Sequence, residues 1–371
     1  MEQITLTEKC NRFLDETMNL NDLPGLAIGV SIGGKEFIGV RGYRDYFACV
    51  PLQEDDIFHC ASVSKLFTSS AIMKLVEAGA LNLEDRLCDL LPDLRIADKR
   101  FKKIRLWNML THTSGLGDVS DYHWYDFETA EDSLHHYVYE SAEVLGQPML
   151  WDPQETPEYR MPQEPQKSRF RYSNVAYEIL GQIVTEYSDR MPDAEGRLSY
   201  EDFVARYLLI PSDMPDSTMK TFERDLNHIT QPYEKMADRS IGPVEYYPYT
   251  RQHAPSSTLT SNVRDLLCWG RAHLVSSLGD GPLLLGETYE TIWRDYATVP
   301  NNGEKMGIGW FMRGQAVNGH TFRLFGHEGT DDGFRASFWI CPELDLVTVV
   351  LSNLSGAPVK KINKKFFASI V

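Results

Sequence analysis

Strand-like runs at both ends of the chain, with helical periodicity between them, leave few folds open. Near the start, residues 25–32 and 35–43 are apolar and β-rich, and Gly33-Gly34 between them signals a tight hairpin. Near the end, residues 307–312, 334–341 and 346–352 repeat the pattern, with Pro342-Glu343-Leu344-Asp345 as the turn between the last two. Segments so far apart share one sheet only if the chain between them makes an excursion and returns. The expected class is therefore α/β, in the α+β sense: an antiparallel sheet flanked by helices, with an inserted all-helical domain. Residues 1–60 are expected to begin the α/β domain, 61–250 to form the mainly helical insertion and 251–371 to complete the α/β domain. A terminal helix over 357–370 would cover the sheet.

A further helix is expected before the first strand, and helical periodicity runs over residues 63–78, 174–187 and 261–274. Between Gly117 and Arg171 the pattern gives way to a polar, aromatic segment holding Pro148, Pro153, Pro157, Pro162 and Pro165. A connection this irregular either walls a pocket or runs as a surface loop. Among 371 residues, 42% are hydrophobic and 11% aromatic, enough for a large core and too many for a disordered chain. With 37 basic against 53 acidic residues the net charge is −16, which opposes nucleic-acid backbones and anionic lipid. The one basic run, Lys360, Lys361, Lys364 and Lys365, reads as the solvated face of the terminal helix.

No apolar window is long enough for a membrane span. The first ten residues, Met1 to Cys10, lack the basic and apolar segments of a secretory leader, so a cytoplasmic location is expected. Cys10, Cys49, Cys60, Cys88, Cys268 and Cys341 show no C-x-x-C spacing and read as reduced, mostly buried small hydrophobes.

Chemistry concentrates in three places. Ala61-Ser62-Val63-Ser64-Lys65 opens what reads as an amphipathic helix, with Val63, Leu66, Phe67, Ala71, Ile72, Leu75 and Val76 at helical spacing and Gly79 at its end. Ser62 and Lys65, at i and i+3, share a face. A serine hydroxyl needs a neighbour to take its proton, and a lysine does so once desolvation or nearby charge lowers its pKa. Alone, the pattern equally fits a helix-capping serine beside a surface lysine. Phe170-Arg-Tyr172-Ser173-Asn174 then places a phenol and an amide before an apolar helix. Last, Phe325-Gly326-His327-Glu328-Gly329-Thr330-Asp331-Asp332 leads into a strand, where glycine permits close backbone approach to a substrate and a strand N–H can serve an oxyanion.

The order S-x-x-K, Y-x-N, H-x-G resembles that of the serine β-lactamase and penicillin-binding-protein superfamily, in the branch of class C β-lactamases with related esterases and D-aminopeptidases. Met109-Leu-Thr-His112-Thr-Ser-Gly115-Leu is similar to that branch too, and the likeness extends from about Leu23 to Asn353. The resemblance implies that Ser62 is the nucleophile, Lys65 its activator and Tyr172 a general acid and base. It implies that Asn174 orients Lys65 and a substrate amide, and that His327, Gly329 and Thr330 bind substrate, with the N–H groups of Ser62 and Thr330 as the oxyanion hole. Two charged neighbours would lower the Tyr172 pKa, and either Lys65 or Tyr172 serves as the base.

The implied reaction is acyl transfer to Ser62, then hydrolysis, on a small ester, a D-amino-acid peptide or a β-lactam, with a small molecule or short peptide as the only partner and no cofactor. The alternatives are a penicillin-recognising protein that acylates but turns over slowly, and a non-catalytic scaffold. His327 stands where relatives carry lysine, so the charge that greets a β-lactam carboxylate is missing or pH-dependent. Glu328, Asp331 and Asp332 would add negative charge if they face inward; otherwise they form a solvent-exposed loop. A neutral or cationic substrate is the better expectation. His112 reads as a satisfied turn histidine. His135-His136 and Asp55-Asp56 lack a third ligand, so no metal is expected. Tyr122, Trp124 and Tyr125, like Tyr246, Tyr247 and Tyr249, are read as substrate contacts or surface packing. The sequence leaves the oligomeric state open.

Overall fold

The computed structural model describes residues 5–153 and 169–371. Met1, Pro157, Pro162 and Pro165 lie outside the described residues. Among the described residues thirteen strands occur in chain order: β1 (Gly25–Ile32), β2 (Lys35–Asp45), β3 (Val50–Pro51), β4 (Phe58–His59), β5 (Tyr233–Lys235), β6 (Ile241–Pro243), β7 (Thr260–Ser261), β8 (Ala297–Thr298), β9 (Lys305–Met306), β10 (Phe311–Val317), β11 (His320–Asp331), β12 (Phe334–Cys341) and β13 (Leu346–Ser352). The five longest helices are α1 (Leu6–Asn21), α2 (Ser64–Glu77), α3 (Asn174–Tyr187), α4 (Val263–Ser277) and α5 (Val359–Ile370).

Nine strands form one sheet in the order β3-β2-β1-β13-β12-β11-β10-β9-β8. All its pairings are antiparallel. Gly33 and Gly34 both have positive φ, 51° and 77°, which a tight β1–β2 turn demands and side-chain-bearing residues resist. β1 is buried on both faces because helices cover both sides. Leu26, Ile28 and Val30 meet α1 and α5, while Ala27 belongs to the core shared with α4 and the helical body. That alternation is the two-residue period of a strand. Gly29 and Gly270 let α4 lie close: a Cβ on the first would strike Val263, on the second Val347.

Several expectations need correcting. The stretch around Gly307 is not a strand: Ile308 N and Gly309 N bond Ile292 O and Leu110 O, so the chain bends into the helical body and β10 starts only at Phe311. The edge strands β3 and β8, and β9 inside the latter, hold two residues each, too few for a periodic signal. Helix α2 is buried almost all round rather than amphipathic; Thr68, Ser69 and Ser70 go inside because their hydroxyls bond backbone carbonyls one turn back. Within 61–250, the β5–β6 hairpin joins the sheet side, where Tyr233 N bonds Asn353 O. Only Cys10, Cys60 and Cys341 are buried, Cys49 is exposed, and all six cysteines are free. The basic run is not wholly solvated, since Lys360 is half-buried and its Nζ lies 2.6 Å from Glu304 Oε1. Among the described residues, no helix is long and apolar enough to cross a membrane.

Candidate active site

Ser62 lies not in α2 but in a single 3-10 turn, Ala61–Val63, between β4 and the helix. Ala61 takes a left-handed φ of 48° there, a conformation that costs a residue with a Cβ about 1 kcal/mol or more. Its surroundings hold it. Ser64 Oγ donates to Ala61 O at 2.7 Å and accepts from Leu259 N at 2.9 Å, while Cys60 N bonds Leu259 O at 2.8 Å. This lattice presents the half-buried Ser62 to the cleft.

Lys65 has no exposed surface. Its Nζ donates to Ser62 Oγ at 3.1 Å and to Ser256 O at 2.8 Å, and sits 4.9 Å from the Tyr172 ring centre and 5.5 Å from that of Tyr177. Burial pushes its pKa down to about 8, against the pull of Glu178, Asp118 and Asp331. Burial acts oppositely on Tyr172: its phenol is raised well above 10, although a hydrogen bond with Ser62 works the other way. The expected lowering of the Tyr172 pKa is thus reversed, because desolvation outweighs the Ser62 hydrogen bond and the Asp118 and Asp331 charges add to it.

Asn174 begins α3, capped by Ser173 Oγ, which accepts from Ala176 N. Its amide does not reach Lys65 as expected. Asp118 Oδ1 takes both Asn174 Nδ2 and Asn174 N at 2.8 Å, leaving Asn174 Oδ1 buried and unpaired. His112, at φ 55°, accepts Ser173 N on Nδ1, but its Nε2 has no partner, so the turn histidine is only half satisfied. Its ring lies 4.4 Å from that of Tyr172.

His327, Gly329 and Thr330 lie on β11. His327 Nδ1 is 2.6 Å from Glu328 O, so it donates, and the buried Nε2 is left as an unpaired acceptor. Burial, then the Lys65 charge, pushes its pKa down to about 3, so the ring is neutral near pH 7. Glu328 and Asp331 are strand residues rather than members of a solvent-exposed loop. Glu328 Oε1 accepts Trp339 Nε1 at 2.7 Å with Arg313 Nη1 at 3.4 Å, and burial raises its carboxyl. Asp331 Oδ2 meets His59 Nε2 at 2.7 Å. Only Asp332 is exposed, bonded by Tyr246 Oη.

A cavity of about 460 Å³ opens beside these groups, lined by Ser62, Asn174, His327 and Thr330 and by the aromatic rings of Tyr122, Phe170, Tyr172, Phe311 and Trp339. A larger cleft of about 870 Å³ near Trp293 and Arg323 lies away from Ser62. Of the six aromatic candidates only Tyr122 lines the site cavity, backed by a stacked Trp124 at 4.7 Å. Tyr125 is exposed, Tyr249 is buried, and Tyr247 packs on Phe334 and His59.

The Asp55-Asp56 pair does find a third group, His228, with ligand atoms within 4.8 Å of one another. The Asp56 carboxylate is already engaged by Arg44 Nη1 at 2.8 Å and Gln53 N at 2.7 Å, which makes the cluster an ion pair. His135 lies near Gln182, and His136 pairs with Asp132 and Glu140.

Gly329 packs tightly against the nucleophile turn. A Cβ there would collide with Cys60 O, so β11 presses directly on the residue before Ala61. Gly329→Ala is expected to cost about 1–3 kcal/mol by overpacking and to slow any reaction of Ser62. Thermal melting and the rate of covalent labelling check this; an unchanged melting temperature would show that the strand simply shifts.

The sequence profile of the Beta-lactamase family matches residues 10–368. The chain is 23% identical to Protein flp of Staphylococcus aureus (strain MW2), across 98% of this chain and 66% of that protein, so it spans about two thirds of that relative's length. Two solved structures superpose on nearly all of it. The class C beta lactamase from Rhodobacter sphaeroides matches with a TM-score of 0.71 at 19% identity, covering 98% of both chains. The D-amino acid amidase from Ochrobactrum anthropi SV3, complexed with L-phenylalanine amide, matches with a TM-score of 0.75 at 19% identity, covering 98% of this chain and 97% of that one. At such identities the likeness shows a shared fold.

Proposed function

The chain belongs to the beta-lactamase family, and from that premise we propose that it is a serine hydrolase, forming an acyl-enzyme on Ser62 and hydrolysing a neutral or cationic ester or amide. The observation that carries the reading is the 3.1 Å contact between Ser62 Oγ and the amine of a wholly buried lysine. With a pKa near 8, Lys65 is neutral in part of the population at physiological pH and takes the Ser62 proton as Oγ attacks the carbonyl carbon. The oxyanion that forms is received by the backbone N–H groups of Ser62 and Thr330. Tyr172 keeps its proton and lies in hydrogen-bond reach of Ser62. It therefore serves as the acid that protonates the leaving oxygen or nitrogen, and recovers a proton from the Lys65 ammonium. Water then attacks the ester carbonyl and gives a proton to the neutral Lys65, which passes it to Ser62 Oγ as the bond between Oγ and the acyl carbon breaks and the acid product leaves.

Substrate charge follows from the cavity. His327 is neutral and presents an acceptor, and Glu328 and Glu304 lie in the same wall, so a carboxylate finds no cation where relatives with lysine would offer one. Lys360, the cation lining that wall, is held by Glu304. The aromatic rings favour an apolar acyl or leaving group.

Turnover of a p-nitrophenyl ester, a D-amino-acid p-nitroanilide and a chromogenic cephalosporin, by the native chain and by Ser62→Ala, tests the reading. The expected result is Ser62-dependent release from the ester or the anilide, with the carboxylate-bearing cephalosporin slowest. No Ser62-dependent turnover or labelling in the whole panel would overturn it. A burst without turnover would instead favour a penicillin-recognising protein that stops at the acyl-enzyme.

The pH profile is a separate prediction. Because neutral Lys65 is the base, acylation should rise with pH through about 8. Burst rates with a p-nitrophenyl ester measure it, and a rate independent of pH across that region would remove Lys65 from the role.

A further inference from the structure

Glu178 and His253 have no exposed surface, and Glu178 Oε1 meets His253 Nδ1 at 3.0 Å. Glu178 sits one turn after Asn174 on α3, so the two side chains project from the same face toward the cleft floor. His253 belongs to the short helical stretch 251–257, which also carries Ser256, and Ser256 O is one of the two acceptors of Lys65 Nζ. His253 and Ser256 lie three residues apart on this stretch, the ring of one touching the carboxylate and the backbone carbonyl of the other accepting from the amine. Helix and stretch are pressed together: a Cβ on Gly181 would run into the Pro255 ring.

We infer that the Glu178–His253 pair is a positioning unit for Lys65, supplying the buried negative charge that keeps the amine seated against Ser62 and sets the pH at which it gives up its proton. The inference rests on the acyl-enzyme reading above. Glu178 is the strongest of the carboxylates acting on Lys65, ahead of Asp118 and Asp331. The rings of His112, His327, Tyr172 and Tyr177 complete the surroundings of the amine. Around Glu178 itself, besides His253 and Lys65, stand the phenols of Tyr122, Tyr137 and Tyr200. Burial raises the Glu178 carboxyl, while the hydrogen bond from His253, that from Ser256 and the Lys65 charge favour its ionised form; Glu178 Oε2 makes no hydrogen bond, and the His253 ring is boxed by Tyr122, Trp124 and Tyr137, so a charge held there is little screened.

The test is the pH profile of Ser62 acylation by a neutral p-nitrophenyl ester or a fluorophosphonate, in the full chain. In Glu178→Gln, which keeps shape and loses charge, the limb near pH 8 should move to lower pH by about one unit or more. Glu178→Asp retains the charge and should leave the limb in place even where it slows the reaction. His253→Gln removes the ring that stabilises the carboxylate and should move the limb the same way as Glu178→Gln, which keeps the inference testable if that variant does not fold. A uniform loss of rate with an unmoved limb in Glu178→Gln or His253→Gln would reduce the pair to a structural element and overturn the inference. A native chain that shows no Ser62 labelling sinks the acyl-enzyme reading together with this one, whereas labelling with an unmoved limb sinks this one alone.

Discussion

Replacing Ser62 by alanine is expected to abolish covalent labelling and to lower turnover of any accepted ester by about 10⁴-fold or more, while the melting temperature stays where it was. The second half follows from how Lys65 is held. Its amine has two acceptors, and losing Ser62 Oγ leaves Ser256 O in place, so no buried ammonium is orphaned. Stability should therefore change by about 0.5 kcal/mol or less. Intact-mass analysis after a fluorophosphonate, beside a melting curve, reads both quantities. A labelled Ser62→Ala variant would move the nucleophile elsewhere.

Tyr172→Phe is expected to slow hydrolysis by about 10²–10⁴-fold, and more for an anilide than for a p-nitrophenyl ester. The difference identifies the role. An anilide nitrogen must be protonated as it leaves, whereas p-nitrophenolate departs unaided, so losing an acid hurts the first more. Equal losses on both substrates would mean that Tyr172 acts on Ser62 as base. Phenylalanine keeps the ring against His112, 4.4 Å away, and Phe311, 6.5 Å away, so the cavity wall should survive.

Features with local causes were legible in the chain. The Gly33-Gly34 turn, the bounds of β1, β12, β13 and α3, and the i, i+3 placement of Ser62 and Lys65 needed only neighbouring residues to be read. What was not legible depends on distant backbone. Ser256 holds Lys65 through its carbonyl, which any residue type supplies, and Glu178 sits in an apolar helical run where nothing marks it as facing a lysine. Asp118 claims the Asn174 amide from a loop that leaves no motif. The sign of the Tyr172 shift is not legible for a related reason: sequence reveals which groups are neighbours, but the depth of burial that overrides them arises only in the fold. His228 joins Asp55 and Asp56 from far along the chain in the same way.

The first strand and the last lie side by side in the middle of the sheet, Leu26 opposite Ser352, with Ser352 Oγ bonding Gly25 O across 327 residues of sequence. During synthesis the β1–β2 hairpin is thus complete early yet keeps one long apolar flank unpartnered until β13 has left the ribosome. Closing so large a loop makes refolding slow and leaves a sticky edge open to self-association, a hazard that falls on the nascent chain rather than on the finished fold.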